Sequence, residues 1–349
     1  MDTTKLQEAY VLRDISPTGR QNDWGRRKMA NELLAIAYED VDKRKAERLR
    51  NCATWLSFAT GTDGRPRLHD ANFCRVRLCP ICQWRRALKT YSHTRAIVEA
   101  MTADYRARKK GLRWMMLTLT VRNCTGDDLS AMLDAMTIGW HRLIKSKTME
   151  PVMGWYRGLE ITHDCAPYIT RHMMAEPGRA AYYAARGLAV GDSNPNYGKY
   201  HPHYHCLLAV NTRYMRRDYP AIRADWVAAW RRSMRLDYDP VVDIRKTYST
   251  TAQVVAEASK YTVKDMDYIQ PADWDMTVDT VRLLDKALDK RRLIAYGGDC
   301  KIWHHKLNLE DEETGDLVHI DDDITDMDIK ASEVVYYWST GYRQYIAAL

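Results

Sequence analysis

The stretch that most constrains this chain is Lys199-Tyr-His-Pro-His-Tyr-His205, which runs directly into the apolar Cys206-Leu-Leu-Ala-Val210. It reads as a loop entering a buried strand. In a strand alternate side chains share a face, so His201, His203 and His205 should point the same way. Neutral imidazoles are the commonest metal ligands, and two on successive same-face positions can grip one ion. The competing reading is a histidine run that is solvated or simply lines a core.

The eight cysteines are unevenly spread. Cys52, Cys74, Cys79 and Cys82 sit together, and Cys79-Pro-Ile-Cys82 has metal-type spacing. Four thiolates so placed suit a tetrahedral zinc ion in a closed, structural site. The alternative is a set of buried thiols at a helix entrance. The remaining four cysteines need no explanation beyond packing.

The first thirty residues are polar and charged, without the apolar core of a signal peptide. No apolar run is long enough to span a bilayer. Both point to a cytoplasmic protein with no membrane partner, in which a disulfide framework is disfavoured. The net charge is +7, although ten Asp/Glu and no Lys or Arg lie between residues 310 and 328. The rest of the chain is therefore strongly basic, in clusters such as Arg26-Arg27-Lys28, Arg85-Arg86 and Arg291-Arg292. That distribution suits a polyanion partner, although solvated helix faces give similar clusters. The 22 Tyr and 11 Trp could stack on unpaired bases, but most should be core.

Taken in order, residues 1–50 read as a basic helical arm, with a helix expected over 26–50. Residues 51–110 hold the cysteines and a helix over 83–108, a four-cysteine zinc-binding module with arginines beside it to touch DNA. Residues 111–270 begin with Trp114-Met-Met-Leu-Thr-Leu-Thr-Val121, a buried strand. A helix is expected over 129–147, and a second strand, Gly154-Trp-Tyr-Arg-Gly-Leu-Glu-Ile-Thr162, places Glu160 inside an apolar segment. A buried carboxylate needs a partner. A metal on the neighbouring histidine strand would be one; an edge strand with Glu160 on its wet face is the alternative. Residues 163–200 read as a long connection whose histidines, His163 and His172, lie at the surface. A helix over 217–235 carries Trp226 and Trp230 one turn apart, and residues 241–245 read as a further strand. A helix over 252–268 puts Glu257, Tyr261, Lys264 and Tyr268 on one polar stripe. Residues 271–349 form a C-terminal region with the acidic segment and an aromatic end at Val334-Val-Tyr-Tyr-Trp338. No Walker A sequence or dinucleotide fingerprint is present, which disfavours a helicase or an oxidoreductase.

Four stretches in this order resemble the rolling-circle replication initiators of small bacterial plasmids, in the branch with a single catalytic tyrosine. They are Phe73-Cys-Arg-Val-Arg-Leu-Cys-Pro-Ile-Cys-Gln-Trp-Arg-Arg-Ala87, Leu117-Thr-Leu-Thr-Val-Arg-Asn123, His201-Pro-His-Tyr-His-Cys-Leu-Leu208 and Glu257-Ala-Ser-Lys-Tyr-Thr-Val-Lys264. The resemblance spans about residues 52–268, with a fainter echo near 291–318. It places the chain among the His-hydrophobe-His (HUH) endonucleases. The fold it implies is α+β, a central antiparallel sheet flanked by helices with the histidine strand in the middle and the tyrosine helix beside it, plus an N-terminal zinc-binding module.

The resemblance also assigns roles. His203 and His205 bind a divalent metal, with Glu160 the matching third ligand and His201 behind them or facing phosphate. The connection between Glu160 and His203 departs from the family pattern in being longer. Tyr261 is the nucleophile, Glu257 activates water at termination, and Lys264 or Lys260 supplies positive charge. Mg2+ or Mn2+ suits a mixed His/carboxylate site, and Zn2+ suits Cys52, Cys74, Cys79 and Cys82. Arg75, Arg77, Arg85, Arg86 and Lys260 are the expected DNA contacts. The implied partners are plasmid origin DNA, single-stranded or extruded as a hairpin, and a host polymerase and helicase. Competing readings are a transposase or conjugative relaxase with the same chemistry, a non-catalytic zinc-dependent DNA-binding regulator, and a metallohydrolase of small phosphates.

Overall fold

The computed structural model describes residues 10–16, 19, 21–60, 66–247, 255, 267–320 and 333–348. Tyr261, Glu257, Lys260 and Lys264 lie outside the described residues.

The chain opens with helices α1 (Trp24–Tyr38) and α2 (Lys43–Asn51), where a single helix is expected. The break falls at Asp42, whose carboxylate accepts from the backbone N–H groups of Arg44 and Lys45 and so starts a new helix. Strands β1 (Trp55–Thr60) and β2 (Pro66–Ala71) follow, then the long helix α3 (Pro80–Ala107) and strand β3 (Leu112–Thr120). Next come α4 (Gly126–Leu143), β4 (Val152–His163), two short helices α5 (Arg171–Ala175) and α6 (Pro177–Ala184), and β5 (Tyr200–Asn211). The described remainder contains α7 (Tyr219–Met234), β6 (Val242–Lys246), α8 (Trp274–Leu288), β7 (Ile294–Gly298), α9 (Asp299–Lys306), β8 (Val334–Ser339) and β9 (Gln344–Ala347).

Two antiparallel sheets organise these elements. The larger runs β6-β3-β5-β4-β7, which puts the histidine strand β5 at its centre. The smaller runs β2-β1-β8-β9. Neither respects a boundary at residue 270: β7 completes the sheet that carries the histidines, and β8 pairs with β1 of the cysteine module. The expected separation of a C-terminal region is therefore corrected by strand pairing, which local sequence patterns cannot reveal.

Each face of the large sheet is covered differently. On one face Tyr204, Leu208 and Val210 join a core with Leu129, Leu133, Met136 and Trp140 of α4 and Trp226 and Trp230 of α7. The buried positions of α4 recur at helical spacing, which turns one stripe of the helix toward the sheet. Trp226 and Trp230 are both fully buried, and truncating either should cost about 3–5 kcal/mol. On the other face Leu207 and Ala209 pack against Val98, Ile97 and Met101 of α3. That cover lies toward the C-terminal half of β5; the N-terminal half of the same face carries the histidines.

Candidate metal centre and its surroundings

Register builds the first cluster. Glu160 on β4 stands directly across from His203 on β5, and Gly158 across from His205. Cross-strand partners share a face, so Glu160, His203 and His205 converge. Glu160 Oε2 lies 2.7 Å from His205 Nε2 and 3.3 Å from His203 Nε2, and the two Nε2 atoms are 3.1 Å apart. All three residues are buried. Glu160 is on an interior strand, so the alternative of a wet edge does not hold.

The outer nitrogens explain why the inner ones face one another. His203 Nδ1 lies 3.1 Å from the His201 carbonyl, to which it donates. His205 Nδ1 lies 3.2 Å from Thr118 Oγ1, on the neighbouring strand β3. With the proton on Nδ1 of each ring, Nε2 would be free to face a cation, the arrangement that metal-binding histidines use. Burial alone would raise the Glu160 pKa, but hydrogen bonds and charge from His203 and His205 outweigh it and hold the carboxyl well below its usual range. Two imidazole nitrogens and a carboxylate oxygen are a donor set that fits one divalent cation. His201 stacks on His203, with ring centroids 5.1 Å apart, behind the cluster rather than in it.

One described residue from the segment that carries Tyr261 bears on this face. Val255 is buried against Val98, Tyr156 and Leu207, and Leu207 follows His205 by one same-face step. Beyond the segment, Tyr268 is fully buried and its hydroxyl donates to the Leu78 carbonyl at 2.5 Å. It therefore does not extend the reactive stripe expected through Glu257, Tyr261 and Lys264. His163 also departs from expectation. It is buried, stacks on Tyr200 at 4.3 Å, and its Nδ1 lies 3.1 Å from the Asp267 carbonyl. His172 is exposed, as expected.

The second cluster is the cysteine set. Cys52 ends α2, Cys79 is the residue before α3, and Cys82 lies in its first turn. The Sγ separations are 3.6 Å for Cys52–Cys79, 3.7 Å for Cys52–Cys82 and 3.8 Å for Cys74–Cys82. Sulfurs around a tetrahedral zinc at its usual bond length stand about 3.8 Å apart, whereas a disulfide would bring a pair to about 2 Å. Backbone N–H groups of Cys74, Arg75 and Val76 point at cluster sulfurs at 3.3–3.4 Å. Arg75 adopts a left-handed backbone (φ 58°), which turns the loop so that these N–H groups face inward. Lys28 is buried beside the cluster, its Nζ donating to the carbonyls of Arg50 and Cys52. Burial holds its pKa below the ordinary lysine value, with Cys52, Glu32, Cys79 and Cys74 pulling the other way.

The arginines near this module divide. Arg75 is exposed, with one guanidinium nitrogen donating to the Thr314 carbonyl, and it lines a groove with Arg77, Arg86, Glu313 and Thr314 in which Arg86 donates to the Arg75 carbonyl. Arg85 is buried instead. Its Nε and Nη2 donate to the carbonyls of Leu317 and Val318 at 2.8 and 2.7 Å, so it straps the C-terminal segment to α3. The expectation of Arg85 as a DNA contact is corrected by that burial. The adjacent acidic residues share this packing: Lys89 meets Glu310 at 2.5 Å and Arg77 meets Glu313 at 3.1 Å.

A third group, His93, His304 and Glu312, was not legible in the sequence. Its members come from three separate elements with no local spacing to mark them. Among the described residues no helix is long and apolar enough to cross a membrane.

Comparison with known proteins decides the family. The family model described as "Replication protein" matches residues 65–346. The chain belongs to the replication-protein family. A "Protein rep" from Bacillus amyloliquefaciens is 36% identical, covering 96% of this chain and 97% of the relative. One from Bacillus sp is 36% identical over 79% of the chain and 85% of the relative, and one from Lentilactobacillus hilgardii is 30% identical over 96% and 98%. No solved structure matches. The family is that of the plasmid rolling-circle replication initiators which the four motifs resemble. Rep proteins of that kind are in general nicking endonucleases that use divalent metals.

Proposed function

We propose that this initiator is a site-specific single-strand DNA endonuclease and strand transferase built on a His-hydrophobe-His core, with Tyr261 as nucleophile. The observation that supports it best is the convergence of Glu160, His203 and His205 on the central strands of a replication-protein-family chain. Glu160, His203 and His205 would hold Mg2+ or Mn2+, which would supply positive charge at the scissile phosphate of origin DNA.

A tyrosine has an ordinary pKa of about 10, so Tyr261 must lose its proton on attack, and Lys264 or Lys260 provides a cationic neighbour. The bond from Tyr261 Oη to phosphorus forms as the bond from phosphorus to O3′ breaks. The product is a 5′-phosphotyrosine, and O3′ takes up a proton to become the hydroxyl that a host polymerase extends behind a host helicase. The phosphotyrosine keeps the energy of the bond, so reversal rejoins ends without ATP. Glu257, four residues before the nucleophile in sequence, takes a proton from water to end the cycle by hydrolysis. The nick must lie in single-stranded DNA, either a melted stretch or an extruded hairpin, because the tyrosine has to approach in line. Zn2+ in the cysteine set holds the module on which Arg75, Arg77 and Arg86 meet origin DNA.

The test is a supercoiled plasmid carrying the gene with its flanking DNA, incubated with protein and Mn2+. Wild type should give relaxed circles with protein linked to the 5′ end. Tyr261→Phe and a metal-free control should give neither. Nicking that persists in Tyr261→Phe would refute the assignment of the nucleophile.

A further inference from the structure

His93 projects from the middle of α3, His304 from α9, and Glu312 from the segment that Arg85 and Lys89 hold against α3. Their ligand atoms lie within 4.8 Å of one another. Glu312 Oε1 is 3.0 Å from His93 Nδ1 and 3.0 Å from His304 Nε2, so both imidazoles aim at the same oxygen. Donors around one tetrahedral zinc at its usual N and O bond lengths stand about 3.3 Å apart, close to this spacing. His93 and Glu312 are 6% and 4% exposed, and His304 is partly exposed.

Both imidazoles hydrogen-bond the one oxygen of Glu312, and a cation shared by the three would answer the same buried charge. A carboxylate at this depth is costly unless its charge is answered. Lys89, the nearest lysine along α3, is engaged by Glu310 and the Asp316 carbonyl. The aromatic ring of Tyr296 packs on His304 at 5.0 Å and its hydroxyl lies 2.9 Å from Thr94 Oγ1, closing the site on the sheet side. Two imidazoles and one carboxylate are a donor set that a borderline divalent ion such as zinc accepts.

The structure assigns His93, His304 and Glu312 as a further metal site, of the zinc type, that staples α9 and the acidic segment 310–318 to α3. It differs in place and purpose from the cluster on β4 and β5, and it does not depend on the nicking chemistry. Its three ligands tie together elements more than two hundred residues apart in sequence, alongside the strap made by Arg85, Lys89 and Arg77.

The experiment uses the full chain carrying His203→Ala and His205→Ala, so that the proposed nicking site cannot contribute. Zinc bound after gel filtration is counted by elemental analysis in this parent, and again with Glu312→Gln or His304→Ala added. Each addition should lower the content by about one ion per chain. A cobalt-substituted set separates loss of this site from loss of fold. Thiolate-to-cobalt charge-transfer bands from the cysteine cluster should persist in both variants, while the visible bands of the nitrogen–oxygen site disappear. The His304→Ala change, at a partly exposed position, keeps the test decisive if Glu312→Gln folds poorly. Equal zinc content and unchanged visible bands in parent and His304→Ala would overturn the site. Neither outcome alters the nicking assay, because neither residue belongs to the Glu160–His203–His205 cluster.

Discussion

Three of the four cysteine sulfurs come from residues 74–82 and the fourth from the end of α2, whereas the Glu160 cluster draws its ligands from two neighbouring strands of a five-stranded sheet. In the first case a loop and two helix ends wrap around a point, and backbone N–H groups complete the shell. In the second, register alone aligns the ligands, and the neighbouring strand β3 reaches in through Thr118. Four sulfurs around one ion would leave no open position, so that cluster is suited to holding structure together. Three donors on a sheet face are one short of a closed tetrahedral set. Closed and open ligand sets therefore predict opposite consequences of ligand loss: in one the fold, in the other only the chemistry.

The largest effect should come from the closed set. Cys79→Ser should cost the module most of its stability, several kcal/mol, and chelation should do the same to wild type. Thermal melting with and without a chelator measures this; a melting curve unmoved by Cys79→Ser would break the contrast. Next, His205→Ala should abolish nicking while the melting temperature stays within a few degrees of wild type. Loss of fold in His205→Ala would mean that the sheet cluster is structural too. Thr118→Val should then weaken metal affinity or the nicking rate by about 10–100-fold, because it frees the His205 ring without removing a ligand. Titration of activity against Mn2+ resolves it. The smallest effect separates the arginines. Arg75→Ala should reduce the slope of DNA affinity against salt by about one, and Arg85→Ala should lower stability while leaving that slope alone.

Both clusters were readable because their ligands carry local signatures. A two-residue repeat on a strand predicts a shared face, and Cys-X-X-Cys predicts a shared ion. Glu160 was readable for a different reason: a charge inside an apolar strand has to be answered by something. His163 misled because its burial comes from Tyr200 and the Asp267 carbonyl, both remote in the pattern around it. Arg85 misled likewise, since an Arg-Arg pair on a helix looks identical whether a carbonyl of residue 317 or a phosphate receives it. The domain boundary at 270 failed on strand pairing between residues nearly three hundred apart, Leu56 with Tyr336. His93, His304 and Glu312 had no signature at all, because their closeness is made by the packing of three elements.

The pairing of β1 with β8 also bears on when this protein becomes competent during synthesis. Trp55 through Phe58 find their partners in Val334 through Tyr337, and the Leu12 N–H donates to the Tyr345 carbonyl. A ribosome must therefore deliver the chain through residues 334–337 before β1 gains its second neighbour. Until then β1 presents an open edge on one side, and contacts of such long range form slowly. A chain still in translation thus has an incomplete sheet beside the cysteine cluster. Messages cut short before residue 334 would yield products that lack this closure altogether, so interrupted synthesis should not release a fully assembled initiator.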